Sequence, residues 1–311
     1  MVPSDSNATS HRATPTFFLA GVPRAGTTSL ASYLAQHPQV YLPAVKEPCF
    51  FIHPAEYARG ADYYLDTFFA AAAGATAIGD ASTQYLLDPR CAQRIHELCG
   101  RPRFVVIFRE PVERAYSYYW WAVRNEIETA SFEEGLALEE QRTRQAIAAG
   151  GAWWERAYLQ AGRYATNLAP FLERFGRDRF LLLRYEDLAE PERVCRRIFR
   201  FLEVDADQAV DTSRRLNASS RPRIAGVQGW IRDDSRLKRA FKTWVPAGAR
   251  RGVKRAVEAA NLVTAEYPPM RADTRRDLAA RLRGEIVELM RIGELELRHW
   301  LEQPSADDAS S

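Results

Sequence analysis

The 311 residues hold only four cysteines, Cys49, Cys91, Cys99 and Cys195, and no two of them stand as C-x-x-C or at zinc-binding spacing. A disulfide framework and a structural zinc site are therefore not expected, and the thiols fit a reducing compartment. No apolar run approaches the roughly 20 residues that a membrane-spanning helix needs. The first fifteen residues, rich in Ser, Thr, Asn and Pro, hold no signal-peptide core. In that setting Asn7-Ala8-Thr9 fits a glycosylation sequon by chance. Internal repeats and low-complexity segments are missing too. These absences set the expectation of a cytoplasmic chain with one domain over 16–302 and disordered ends at 1–15 and 303–311.

An apolar content of 46 % is ample for the core of one large α/β domain. The clearest strand is Arg103–Phe108, short, apolar and β-branched; Phe17–Ala20, Val40–Leu42, Ala77–Gly79 and Phe180–Leu183 read alike. Helical patterns cover Pro111–Val123, Phe132–Ala148, Tyr164–Phe175 and Pro191–Leu202. Unbroken apolar strands alternating with helices predict an α/β fold with a parallel sheet flanked by helices. Ligands on such sheets bind at the carboxyl ends of strands.

The sequence from Phe17 to Leu30 combines an apolar strand, a tight loop bounded by Gly21 and Gly26, and a helix start at Thr27-Thr28-Ser29. First-turn N–H groups and the helix dipole there bind phosphate or sulfate without a metal. The nucleotide-triphosphate loop G-x-x-x-x-G-K-[ST] requires lysine where Thr27 stands, and Arg24 lies inside the loop instead. Such a loop suits a ligand with one 5′-phosphate and a further anionic group. Two other stretches carry chemistry. Arg109 falls at the end of the Arg103–Phe108 strand, beside the loop if the two strands are neighbours, with Ser117 eight residues on in the next helix. A bland role for Arg109 is a salt bridge to Glu110 or Glu113. In Lys46-Glu47-Pro48-Cys49-Phe50-Phe51, Glu47 sits in irregular backbone and can point into a cleft, or merely pair with Lys46 at the surface. Arg114 reads as a structural helix arginine, and Trp120, Trp121, Trp153 and Trp154 as mainly core.

Gly21-Val-Pro-Arg-Ala-Gly-Thr-Thr-Ser-Leu30 resembles the 5′-phosphosulfate loop of sulfotransferases that use 3′-phosphoadenosine 5′-phosphosulfate (PAPS), above all the heparan-sulfate type and their bacterial relatives. The likeness runs from about Thr16 to Trp300 and includes Gly162-Arg-Tyr-Ala165, the Leu181–Leu188 run and Tyr267-Pro-Pro-Met270. It implies a P-loop-like fold and sulfuryl transfer from PAPS to a hydroxyl of a carbohydrate or small metabolite, with no metal. It also implies site roles. Arg24, Ala25, Gly26, Thr27, Thr28 and Ser29 would hold the 5′-phosphosulfate, with Arg24 also stabilising the leaving charge. Arg109 and Ser117 would hold the 3′-phosphate, and Glu47 would be the base, with His53 its rival. Three departures stand out. Arginine replaces the usual lysine at Arg24, and Cys49 replaces a frequent histidine or glutamine. Val263-Thr264-Ala265 stands where the heparan-type enzymes carry a nucleotide-contacting Lys-Gly-Arg run, for which Arg221 or Arg223 is a substitute. The rival functions are a P-loop kinase, disfavoured by Thr27, and a non-enzymatic anion- or nucleic-acid-binding module, which would leave both phosphate motifs unexplained.

From Arg214 to Arg255 there are 13 basic residues against Asp233 and Asp234, a charge of +11 in a chain of net charge +3, so the remainder carries −8. Leu237, Phe241, Trp244 and Val245 form an apolar stripe beside Lys238, Arg239 and Lys242. The segment is either a solvated helical cap or a surface for an anionic acceptor, a carrier protein or a membrane surface.

Overall fold

The computed structural model describes residues 12–214, 220–222, 262–264 and 267–302. Five parallel strands form its sheet: β1 (Phe17–Gly21), β2 (Val40–Tyr41), β3 (Ala77–Asp80), β4 (Arg103–Phe108) and β5 (Phe180–Arg184), in the order β2-β3-β1-β4-β5. Every residue of β1 and β3 is buried, which explains their unbroken apolar sequences. Helices α1 (Thr27–Leu34), α2 (Pro54–Tyr57), α3 (Gly60–Phe68), α4 (Arg90–Cys99), α5 (Pro111–Arg124), α6 (Phe132–Ala148), α7 (Tyr164–Phe175) and α8 (Pro191–Leu202) alternate with the strands, and α9 (Ala272–Gly293) comes late in the chain. The α/β expectation holds, and four predicted helices fall within one residue of their expected ends. The short α2, and α3, α4 and α9, were not foreseen.

The described residues group into two compact units. The first comprises Met1–Val22, Thr27–Phe108 and Asn167–Ser213 and holds the whole sheet. Its order places β1 between β3 and β4, so successive connections leave β1 first toward one edge and later toward the other. That reversal is the topological switch point where α/β sheets open a crevice at their carboxyl ends. Phe18, Phe104 and Phe180 stack across β1, β4 and β5, with centroids 5.5 and 4.7 Å apart. Gly79 lets β3 approach β1 closely: a Cβ there would meet the Phe17 ring at 2.2 Å and Leu42 at 2.7 Å.

The second unit comprises Pro23–Gly26, Arg109–Thr166 and Arg214–Ser311. Its core gathers Val112, Ala115, Tyr118 and Tyr119 of α5, Phe132 of α6, Tyr158, and Leu278 and Leu282 of α9. Helix α5 starts sharply. Pro111 lies in its first turn, and the Glu110 carboxylate accepts from the N–H groups of Val112 and Glu113. Helix α6 begins with a Ser131–Glu134 capping box. Arg114 is fully buried and donates to the Tyr158 carbonyl, a structural role as expected. A short antiparallel pair, β6 (Ser220–Pro222) and β7 (Leu262–Thr264), completes this unit.

Gly79→Ala is expected to overpack the β1–β3 contact and cost about 1–3 kcal/mol of stability. Chemical denaturation would show this as a lower midpoint with an unchanged slope.

Candidate anion-binding and catalytic site

After Gly21 the chain turns through 22–26 and enters α1 at Thr27. Arg24 (φ 72°) and Gly26 (φ 85°) both take left-handed backbone. Glycine adopts that region freely, whereas a side chain there costs on the order of 1–3 kcal/mol and persists only where its surroundings hold it. Arg24 is held at two points. Its Nε donates to Ser117 Oγ at 3.1 Å, and its carbonyl accepts from Arg109 Nη1 at 3.2 Å. The two arginines and the serine, drawn from motifs 93 residues apart, thus meet within the second unit. The Arg109 carbonyl is itself fixed by the Tyr164 hydroxyl at 2.7 Å.

The expected salt bridges of Arg109 are weak. Glu110 caps α5, and Glu113 Oε2 lies 3.9 Å from Arg109 Nη2 while its other oxygen pairs with Arg275. Positive charge is correspondingly crowded. Burial, then Arg124, then Arg109 lower the Arg24 pKa to about 10, with Tyr267 and Tyr118 opposing them. Arg24 therefore stays a cation at neutral pH in a place that disfavours cations. An incoming anion relieves that repulsion. Arg124 was missed from the sequence. Its signal was spacing: it lies seven residues, two helical turns, beyond Ser117 on α5.

Ala25, Thr27 and Ser29 are buried, Gly26 and Thr28 half-buried. First-turn N–H groups have no acceptor inside their own helix, and the dipole favours negative charge there. The start of α1 is chemically suited to a phosphate or sulfate oxygen.

The third stretch is built entirely within the first unit. Glu47 (φ 62°) and Cys49 (φ 53°) are both left-handed. Glu47 Oε1 accepts from Lys46 Nζ at 2.6 Å and Thr83 Oγ1 at 3.0 Å; Oε2 accepts from Gln84 Nε2 at 3.1 Å. The Lys46 pair exists, yet the Glu47 side chain is only 32 % exposed and is gripped by the turn after β3. His53 is not among its partners; its residue precedes α2. Behind this lies Asp80, fully buried at the end of β3. Ser82 donates to Asp80 Oδ1 through its N–H and its hydroxyl, and Tyr64 and Tyr85 donate to Oδ2 at 2.6 and 2.8 Å. Burial pushes the Asp80 carboxyl up against these hydrogen bonds. Ser82 Oγ in turn accepts the Cys49 N–H at 2.9 Å.

Arg221 lies on β6, paired in register with Val263 on β7. Its backbone thus stands directly opposite the stretch where the Lys-Gly-Arg run is missing. Arg223, Leu237, Lys238, Arg239, Phe241, Lys242, Trp244 and Val245 lie outside the described residues, with most of the basic 214–255 segment. Trp153 and Trp154 are buried, and Trp120 stacks on Tyr267 at 4.9 Å. No described helix is long and apolar enough to cross a membrane.

Comparison with known proteins adds independent findings. The family described as "Sulfotransferase domain" matches residues 14–222. A solved sulfotransferase from Alicyclobacillus acidocaldarius is 28 % identical, with a TM-score of 0.69 over 93 % of this chain and 100 % of that one. The membrane-associated sulfotransferase kil1 of Dictyostelium discoideum is 29 % identical over 49 % of this chain and 34 % of its own length. Mouse heparan sulfate glucosamine 3-O-sulfotransferase 3B1 is 29 % identical over 60 % of this chain and 46 % of its own. The chain thus spans about a third or less of the first curated relatives it matches, at 34 %, 24 % and 24 %.

Arg24→Gln removes one of the crowded cations together with its bond to Ser117, two effects that oppose each other in the unliganded protein. The ligand-free melting temperature should change little, and the rise produced by millimolar pyrophosphate should fall by about half or more. Thermal melts with and without pyrophosphate measure both.

Proposed function

We propose for this chain, which belongs to the sulfotransferase family, the transfer of a sulfuryl group from PAPS to a hydroxyl acceptor. The observation that carries the proposal is the meeting of Arg24, Arg109 and Ser117, residues of two separate motifs, where burial and neighbouring arginine charge lower the basicity of Arg24. A nucleotide with a 3′-phosphate and a 5′-phosphosulfate supplies the anionic groups such a place accepts. Arg109 and Ser117 hold the 3′-phosphate. Arg24 and the N–H groups of Ala25, Gly26, Thr27, Thr28 and Ser29 hold the 5′ end. Arginine serves there as a planar fork, one edge spent on Ser117 and the other presented to oxygen. Arg221 takes the part of the missing Lys-Gly-Arg contact, a role supported by its register opposite Val263.

Glu47 takes the proton of the acceptor hydroxyl as its oxygen forms the new bond to sulfur. The bond from sulfur to the 5′-phosphate oxygen breaks in line and leaves its electron pair on the phosphate. Arg24 and the N–H groups at the start of α1 stabilise that developing charge. These donors do the work a metal would otherwise do. The acceptor class is a carbohydrate or small-metabolite hydroxyl. The heparan sulfate in the mouse relative's name supports a sugar, and the +11 charge of 214–255 supports an acceptor that is anionic, carrier-bound or at a membrane surface. Four free thiols support a reducing compartment such as the cytoplasm.

Two variants test the proposal. Arg109→Ala should weaken 3′,5′-adenosine bisphosphate by about ten- to a hundredfold, the worth of a charged hydrogen bond, and AMP far less; calorimetry showing equal losses would remove the 3′-phosphate role. Glu47→Gln keeps the shape and loses the basicity. Turnover should drop by about 10²–10⁴-fold while bisphosphate affinity holds. Near-parent turnover would take Glu47 out of the mechanism and leave His53 to be tested.

A further inference from the structure

We propose that Gln84 and Thr83, with Cys49 behind them, are the positioning residues that aim the Glu47 carboxylate and make Oε2 its proton-accepting atom. The inference rests on Glu47 being the base. The two carboxylate oxygens are not equivalent. Oε1 takes the Lys46 ammonium at 2.6 Å and the Thr83 hydroxyl at 3.0 Å, which fills its two lone-pair directions. Oε2 takes one neutral donor, the Gln84 amide, at 3.1 Å. It keeps a lone pair and carries less directly neutralised charge. The acceptor's proton goes to Oε2 as the hydroxyl oxygen bonds to sulfur.

Gln84 can do this only with its nitrogen turned toward Glu47; reversed, its oxygen would face the carboxylate. The Cys49 thiol fixes the choice, because Sγ lies 3.5 Å from Gln84 Oε1 and donates to it. Burial first, and then the Glu47 charge, push that thiol well up, so it remains a donor at working pH. The ring closes through the backbone. The Cys49 N–H is held by Ser82, and Ser82 and Tyr85, on either side of Thr83-Gln84, are both tied to buried Asp80. The base is thus bolted to the end of β3 rather than carried on a pliant loop. Cys49 stands where the resemblance leads one to expect histidine or glutamine, and the Cys49–Gln84 pair is this chain's own solution.

The test compares Gln84→Leu, Thr83→Val, Cys49→Ala and Cys49→Ser in the full chain. It uses radiolabelled PAPS with the best acceptor from a hydroxyl panel, and 3′,5′-adenosine bisphosphate as the binding probe. Gln84→Leu should lower kcat by about 10- to 100-fold, the scale of a small misplacement of a reacting group, with acceptor KM and bisphosphate affinity within about twofold of the parent. Thr83→Val should lower kcat in the same direction, with acceptor KM and bisphosphate affinity likewise near the parent. Cys49→Ser, which restores an O–H donor, should recover most of what Cys49→Ala loses. Parent kcat in both Gln84→Leu and Thr83→Val, with Glu47→Gln inactive, would overturn the positioning role and leave the base intact. An active Glu47→Gln would overturn both. If Gln84→Leu does not fold, Thr83→Val and the two cysteine variants decide, and equal activity of Cys49→Ala and Cys49→Ser counts against the proposal.

Discussion

The charges of Arg109 and Arg124 are both felt at Arg24, and that crowding is the constraint on which the site depends. Like charges in partial burial disfavour the unliganded state. Here the opposition is concentrated on Arg24, whose basicity falls to about 10. The scaffold also anchors Arg24 and Arg109 through neutral groups. Arg24 is tied to a hydroxyl, Arg109 reaches a carbonyl, and a tyrosine fixes the backbone of Arg109. Left-handed backbone at Arg24 adds local strain in the same place. Under the proposed function, groups held this way spend little of an anion's binding energy on arranging them.

Glu47, the proposed base, shows the same economy with the opposite sign. Glu47 is a carboxylate in left-handed backbone, held by three donors from residues 46, 83 and 84. Strain of this kind at two residues of one short stretch, Glu47 and Cys49, is what a preorganised group looks like in backbone terms. Asp80, buried and accepting four hydrogen bonds, is the anchor at the far end.

Much of this was legible in the sequence, for identifiable reasons. Buried parallel strands must be apolar throughout, so β1, β4 and β5 announced themselves as short unbroken runs. Gly21 and Gly26, the hydroxyl run after them and the arginine between them could be read as a phosphate loop because each residue type has its own backbone or charge reason to be there. The pairing of β1 with β4, needed to bring Arg109 beside that loop, could only be assumed; the register Phe18–Phe104 shows it. Helices α3, α4 and α9 were overlooked, their apolar stripes thinned by charged neighbours. Thr83 and Gln84 were invisible for a different reason. They hold Glu47, 36 and 37 positions away, through the fold, and neither amide nor hydroxyl carries a local pattern that says so. Arg124 had a pattern, the two-turn spacing from Ser117, but only tertiary packing gives that spacing a meaning.

The cap of α5 has a consequence for selectivity. Glu110 and Glu113 flank Arg109 in sequence, and a carboxylate on the same chain is a tethered competitor for any arginine within its reach. Tethering over a few bonds gives an effective concentration in the millimolar range or above, ahead of most cellular nucleotides. Glu110 is withdrawn from that competition by two backbone N–H groups, and Glu113 is held largely by Arg275, leaving only a 3.9 Å approach to Arg109. Under the proposed function, helix capping and the Glu113–Arg275 pair lessen competition by these carboxylates at Arg109.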